Sequence, residues 1–315
     1  MLRRPPVIFL FGPTAVGKTA IIASLPRGLA EVISADSMQV YRGMDIGTAK
    51  PDAILRASVP HHLIDIRDPD QRYDVGAFVD DANELMREIH ARAMLPVVSG
   101  GTGFYFKHLL LGLPQAPPSD PEVRERVLLR AEREGTDALY EELGRVDPQS
   151  AARIDGNDRY RITRAIEVFE QTGRPLSSFA MEGPPREDVD VRSFRLTRPR
   201  EALAERVRVR VRSMFDEGLR HEVETLVGAG YGSDAPGMRA IGYREFFDAH
   251  GALRPAREDD AIAEAIAGNT RRYAKRQETF FRRLPGVTTV DLGKEGGAEP
   301  VIESIVARAR ELDTP

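Results

Sequence analysis

The sequence has 315 residues, 41% of them hydrophobic and 30% charged, with a formal net charge of −4. Such a chain is an ordinary globular protein, long enough to bury a substantial core in one large domain or two smaller ones. It contains no cysteine, which excludes disulfides, thiolate metal sites and thiol nucleophiles.

The chain begins Met1-Leu2-Arg3-Arg4-Pro5-Pro6 and runs straight into "PVIFLF", with no signal-peptide pattern and no apolar run long enough for a membrane span. A cytoplasmic protein without membrane contact is expected. "PVIFLF" (Pro6–Phe11) is wholly apolar, as in a buried parallel strand. "GPTAVGKT" (Gly12–Thr19) follows and fits the phosphate-loop pattern G-x-x-x-x-G-K-[ST], with a helix predicted from about Lys18. In such a loop Gly12 and Gly17 allow a tight path whose backbone N–H groups cradle phosphate oxygens. Lys18 supplies a point charge, and the Thr19 hydroxyl is placed for Mg²⁺. By itself the loop points to ATP or another nucleotide.

"EVISA" (Glu31–Ala35) reads as a second strand, and its tip carries Asp36. A helix is predicted over Val75–Arg92, with Phe78, Ala82, Leu85, Met86 and Ile89 on one face. "LPVVSGGT" (Leu95–Thr102) is a third strand ending in a glycine turn. No acid follows it, although nucleotide-hydrolysing relatives of the loop hold Mg²⁺ through such an acid. Asp36 is the nearest acid to the loop. It could ligate Mg²⁺ through water, accept a proton from a nucleophile, or merely cap a turn. The adjacent histidines His61 and His62 point to different faces and give no ligand spacing.

Pro114, Pro117 and Pro118 make a stiff linker, after which Ser119 or Asp120 caps a helix with Pro121 at its first position. The pattern stays helical to about Thr172 and breaks again at "EGPPREDVD" (Glu182–Asp190). "VRSFRLT" (Val191–Thr197) then returns as a strand. Long helices are predicted near Glu201–Leu226 and Asp259–Arg283, and a last strand at Val287–Leu292. Strands alternating with helices give an α/β fold: a P-loop NTPase-like core with a parallel sheet flanked by helices. The expected division is a core of residues 1–118 and 188–315 carrying a mostly helical insertion of residues 119–187. Arginines cluster from Arg192 to Arg212, including Arg198, Arg206, Arg208 and Arg210, and again from Arg271 to Arg283. Solvated helix faces and phosphate binding both account for them.

"GPTAVGKT", "ISADSMQVYRGMDIGTAKP" and "HHLIDIRDP" resemble the tRNA dimethylallyltransferases. The likeness continues through "PVVSGGTGFYFKHLLLGL", "DPEVRERV", "VDPQSAARIDGNDRYRITRAIEVF", "MRAIGYREF" and "TRRYAKRQETFFRR", in order and over nearly the whole chain. The resemblance implies transfer of a dimethylallyl group from dimethylallyl diphosphate to the exocyclic N6 of the adenosine 3′ to the anticodon. It implies Mg²⁺ as cofactor, and an insertion that grips the tRNA anticodon stem-loop. Asp36 would be the general base. Gly12, Pro13, Thr14, Ala15, Val16, Gly17, Lys18 and Thr19, with Arg210, would hold the diphosphate, and Thr19 the metal. Thr102 and Arg124 would contact tRNA. The segments Asp36-Ser37-Met38-Gln39, Tyr160-Arg161-Ile162-Thr163-Arg164 and Met238-Arg239-Ala240-Ile241-Gly242-Tyr243-Arg244 would line the RNA. Phe104, Tyr105 and Tyr243 are candidates for stacking bases. A monomer is expected.

Three other functions share parts of this pattern. A small-molecule kinase would use the loop for ATP and Asp36 to activate a hydroxyl. A prenyltransferase acting on free AMP or ADP would share both loop and base. A non-enzymatic RNA-binding module would use a nucleotide only as a switch.

Overall fold

The computed structural model describes residues 4–179 and 183–312. The expected leader-free start at Met1–Arg3, and Glu182 at the head of the second proline-rich break, lie outside the described residues. The chain forms two compact units, residues 1–109 with 186–315 and residues 110–185.

The first unit is built on strands β1 (Pro6–Phe11), β2 (Ala30–Ala35), β3 (His61–His62), β4 (Leu95–Gly100), β5 (Asp190–Thr197) and β6 (Val287–Asp291). They form one sheet in the order β3-β2-β4-β1-β5-β6, with every pairing parallel. Every residue of β1, β2 and β4 is buried, as a parallel sheet covered on both faces requires. The sequence does not reveal β3, because two histidines carry no apolar run. His61 Nδ1 lies 2.7 Å from the Val59 carbonyl and His62 Nε2 lies 2.6 Å from Glu31 Oε2, so each ring has a local partner.

Helices α1 (Lys18–Ala23), α2 (Ala53–Ser58) and α3 (Val75–Ala91) lie in the first unit, and α4 (Gly103–Leu111) runs across the boundary at residue 110. In α3 the buried face is Phe78, Val79, Ala82, Met86 and Ile89, so Val79 takes the core place expected of Leu85. The second unit packs α5 (Pro121–Glu134), α6 (Thr136–Val146), α7 (Pro148–Ala151) and α8 (Arg159–Thr172) around Val127, Leu139, Leu143, Ile162 and Ile166. Asp120 caps α5, accepting from the N–H groups of Glu122 and Val123.

After β5 come α9 (Arg200–Asp216), α10 (Leu219–Gly228), α11 (Asp259–Phe281) and, after β6, α12 (Glu299–Arg310). The single helix expected near 201–226 is two helices. Gly218 sits at φ 101°, a left-handed conformation open to glycine, and turns the chain between them.

From β1 the chain moves outward to β2, and after β4 it returns on the other side to β5. The carboxyl ends of β1 and β4 therefore flank a topological switch point, where open parallel sheets bind ligands. The phosphate loop and the Ser99–Thr102 turn both lie there.

Candidate active site

The loop Gly12–Thr19 leaves β1 under tight steric limits. A Cβ at Gly12 would lie 2.7 Å from the Leu196 carbonyl oxygen, and one at Gly100 only 2.1 Å from that of Ala35. Ala15 and Gly17 are left-handed, at φ 62° and 122°. The alanine is the strained member of that pair. Because α1 starts at Lys18, its first N–H groups have no intrahelical acceptors and face the loop.

Gln277 of α11, buried in the core, holds this geometry. Its side-chain oxygen accepts the Thr14 N–H at 3.0 Å, and its amide nitrogen donates to the Gly101 carbonyl at 2.7 Å. One side chain thus ties the phosphate loop to the turn after β4. Sequence reasoning missed it, since a lone glutamine inside a basic helix carries no signal.

Lys18 Nζ donates to the Gly12 and Pro13 carbonyls at 2.9 and 3.1 Å. Burial lowers its pKa to about 8, against the pull of Asp36 and with the push of Arg210. Arg210 reaches from α9 to Thr14 Oγ1 at 3.5 Å. Burial also pushes its guanidinium below the usual range, while Asp36 favours the charged form. Asp36 follows β2, and its Oδ1 accepts the Met38 N–H at 2.9 Å. The turn-residue reading of Asp36 is thus correct for one carboxylate oxygen. Thr102 is placed by its N–H on the Ala35 carbonyl, and its hydroxyl accepts the Ser37 N–H at 3.0 Å.

A cavity of about 310 Å³ opens beside the loop. Thr14, Asp36 and Arg210 line its polar end, and Val207, Val211, Met214 and Ile266 supply an apolar wall. Ser37, Met38, Arg239, Ala240, Ile241, Arg244, Tyr273 and Arg276 are among the other lining residues. Tyr273, another residue missed from sequence, also lines this cavity, and burial pushes its phenol up to about 12, against the lowering effect of neighbouring Thr102 and Gln277.

Several side chains assigned to RNA face inward instead. Tyr243 is fully buried, and its hydroxyl donates to Glu222 at 2.6 Å. It packs so closely on Gly47 that a Cβ there would lie 2.5 Å from its ring, so it cannot stack a base. Met238 is buried in the same core cluster. Gly242 is buried at φ 104°, its N–H donating to Glu245. The Gln39 amide is committed internally: its oxygen accepts from Ser34, and its nitrogen donates to the Thr48 and Ala49 carbonyls. In the second unit Ile162 is core, and the buried Thr163 hydroxyl donates to the Arg159 carbonyl. Arg124 and Arg164 converge on buried Glu167, at 3.2 and 2.7 Å. Tyr160 and Arg161 remain exposed, with the Arg124 guanidinium 5.4 Å over the Tyr160 ring. Periodicity could have warned of the inward positions: Ile162, Ala165 and Ile166 repeat at helical spacing. Of the other aromatics, Tyr105 is buried against Phe78 with ring centroids 4.1 Å apart, while Phe104 is half exposed.

For Mg²⁺ the fit is partial but sufficient. Thr19 is exposed at the start of α1, and Asp36 is the one carboxylate among the described cavity-lining residues. No cluster of three or more His, Cys, Asp or Glu side chains occurs among the described residues. A magnesium ion that keeps several waters and binds mainly through phosphate oxygens needs no such cluster.

A model of the IPP transferase family matches residues 39–284. The chain belongs to the IPP transferase family. Relatives agree over nearly their full length. A tRNA dimethylallyltransferase of Methylococcus capsulatus is 43% identical over 309 residues, covering 96% of this chain and 98% of its own. One from Geobacter sulfurreducens is 44% identical over 287 residues, covering 90% and 91%. Among solved structures, the tRNA isopentenylpyrophosphate transferase of Bacillus halodurans superposes with a TM-score of 0.68 at 36% identity, covering 99% of this chain and 98% of that one. A eukaryotic dimethylallyltransferase acting on tRNA shares the fold, with a TM-score of 0.81 at 24% identity over 99% of this chain and 80% of that one. The α/β core with its parallel sheet is therefore the fold of the IPP transferases. Among the described residues of this IPP transferase, no helix is long and apolar enough to cross a membrane.

Proposed function

We propose that this protein transfers a dimethylallyl group from dimethylallyl diphosphate to the N6 of the adenosine 3′ to the anticodon in tRNA, releasing diphosphate. The observation that carries this reading is the cavity. It brings Thr14 of the phosphate loop, a lone carboxylate and an apolar wall into one pocket, the three surfaces that a charged leaving group, an amine and a five-carbon chain require.

In this reading the diphosphate lies in the loop, against the backbone N–H groups and the charges of Lys18 and Arg210. The dimethylallyl chain rests on Val207, Val211, Met214 and Ile266. The lone pair of N6 forms the new bond to the allylic carbon as the carbon–oxygen bond breaks, and the electron pair of that bond leaves on the diphosphate. Lys18, Arg210 and the loop amides are fixed in place before this charge develops, so they stabilise it without rearranging. Asp36 takes the N6 proton as the new bond forms. Magnesium, held by Thr19 and the phosphates, would add positive charge at the leaving group. The apolar wall excludes the water that would otherwise hydrolyse the allylic centre. The base reaches this site only if it leaves its stack, as chemistry on bases generally requires. The cavity rim of Met38, Arg239, Ile241 and Arg244 is where the RNA is proposed to enter. The helical unit, with exposed Tyr160 and Arg161, is proposed to bind the anticodon stem-loop.

Mass analysis of tRNA nucleosides after incubation with the protein, Mg²⁺ and dimethylallyl diphosphate tests the reading. An adenosine carrying one added dimethylallyl unit is expected. Prenylation of free AMP at the rate of tRNA would overturn the acceptor. Consumption of ATP with a hydroxylated metabolite, and none of the diphosphate, would overturn the reaction.

A pH dependence follows from Lys18. Its charged form is the one that binds an anion, and burial brings its pKa down to about 8. Once the protonation of diphosphate itself is accounted for, affinity should be level below that pH and weaken above it, by at most about tenfold per pH unit. Titrations of diphosphate across this range check the direction; constant affinity to pH 10 would show that the Lys18 charge does not contribute.

A further inference from the structure

Arg210 is not the only arginine at the loop. Arg198 Nε donates to the Val16 carbonyl at 2.7 Å, and Arg206 Nε donates to the Ala15 carbonyl at 2.8 Å. With Arg210 on Thr14, three guanidinium groups grip three consecutive loop residues. Their charges are offset only at a distance: Asp291 favours the charged form of Arg198, and Asp36 and Glu217 that of Arg210. Among the described residues, none of the three has a carboxylate within 4.0 Å, whereas Arg208, which shares α9 with Arg206 and Arg210, pairs with Glu205 at 2.6 Å. They also repel one another: after burial, the Arg206 charge is the next cause lowering the pKa of Arg198, and it depresses Arg210 as well. Arg206 is exposed and Arg198 partly buried, so water carries part of the cost of this repulsion, and a bound anion would relieve the rest.

The direction of the free ends matters. Arg198 Nη2 lies 3.6 Å from where a Cβ of Gly17 would be, over the start of α1. Arg210 lines the cavity next to Asp36, while Arg198 and Arg206 do not. The three arginines thus approach the loop from two sides.

We propose that Arg198 and Arg206 hold the outer phosphate of the diphosphate, the one remote from the reacting carbon, leaving Arg210 to the inner one. This rests on the reading of the loop as a diphosphate site. Each guanidinium keeps its Nε on a loop carbonyl and presents its two terminal nitrogens to phosphate oxygens, a two-pronged use that lysine cannot reproduce.

Calorimetric titration of inorganic diphosphate with Mg²⁺ into the full chain, without tRNA, tests this. Arg198→Gln and Arg206→Gln should each weaken diphosphate about tenfold or more. Arg198→Lys and Arg206→Lys should recover only part of the loss. Arg208→Gln should bind as wild type. In turnover assays the KM for dimethylallyl diphosphate should rise more than kcat falls, with tRNA affinity unchanged. A role confined to bracing the loop predicts full recovery by lysine and a lowered Tm without ligand, and would overturn the proposal. Diphosphate affinity that holds while tRNA affinity drops would also overturn it, placing both arms on the RNA backbone. If the wild type takes up no diphosphate, the reading of the loop fails and this inference with it.

Discussion

Asp36→Asn should slow transfer by about 10²- to 10⁴-fold, the usual range for loss of a general base, with tRNA affinity near wild type. The amide is nearly isosteric, and its oxygen can still accept the Met38 N–H that orders the turn after β2. What it cannot do is accept the N6 proton. Diphosphate affinity should change little near neutral pH. Asp36 favours the charged forms of Lys18 and Arg210, but it also repels an incoming anion, so its removal has opposing effects on binding. Because Asp36 holds up the Lys18 charge, the decline of diphosphate affinity with pH should begin at lower pH in the variant. Single-turnover rates with labelled dimethylallyl diphosphate, beside tRNA binding, separate these effects. An unchanged rate would remove Asp36 as the base, and a collapse of tRNA binding would make it an RNA contact.

Arg210→Gln should lower kcat/KM for dimethylallyl diphosphate by about 10²- to 10³-fold, as removal of a fixed charge-stabilising donor does, while leaving tRNA affinity intact. The size follows from the surroundings. The guanidinium is held between Thr14 and the cavity without a carboxylate partner, and burial has already made its charge costly. An ion there interacts strongly with a second charge because little water screens the pair. Arg208, four-tenths or more exposed and paired with Glu205, should show almost no effect when changed to Gln, since an exposed pair contributes little. Loss of tRNA affinity with normal use of dimethylallyl diphosphate would put Arg210 on the wrong substrate.

The loop and the acid were legible because each is a local pattern. Gly12, Gly17, Lys18 and Thr19 lie within eight positions, and Asp36 stands at the tip of a recognisable strand. The strands β1, β2, β4, β5 and β6 were legible as short apolar or β-branched runs between turn signals. The second unit was legible as helices, with its first cap at Asp120, though the compact unit begins at 110. The break at Gly218 was not, because a glycine inside a helical pattern ends a helix only when its backbone turns left-handed.

Side-chain roles were harder. Tyr243, Gln39 and Ile162 sit in segments read as RNA-facing, yet adjacent residues of a helix or turn point in different directions. Gln277 stands 263 positions from Thr14, and its bond to that residue leaves no trace in either local sequence. Arg198 and Arg206 were visible as members of a basic stretch. Only the fold brings the turn after β5, with Arg198, and the first half of α9, with Arg206, to the loop and puts their Nε atoms on loop carbonyls.

By itself, then, the sequence determined the parallel α/β core, the phosphate loop and the acid beside it, because periodicity and short glycine motifs are written over a few residues. Tertiary structure alone decided which arginines surround the loop, which aromatic rings are core, and that the polar and apolar walls close one cavity. Those facts depend on residues far apart in the chain, brought together by the sheet order and by helix faces that no local pattern specifies.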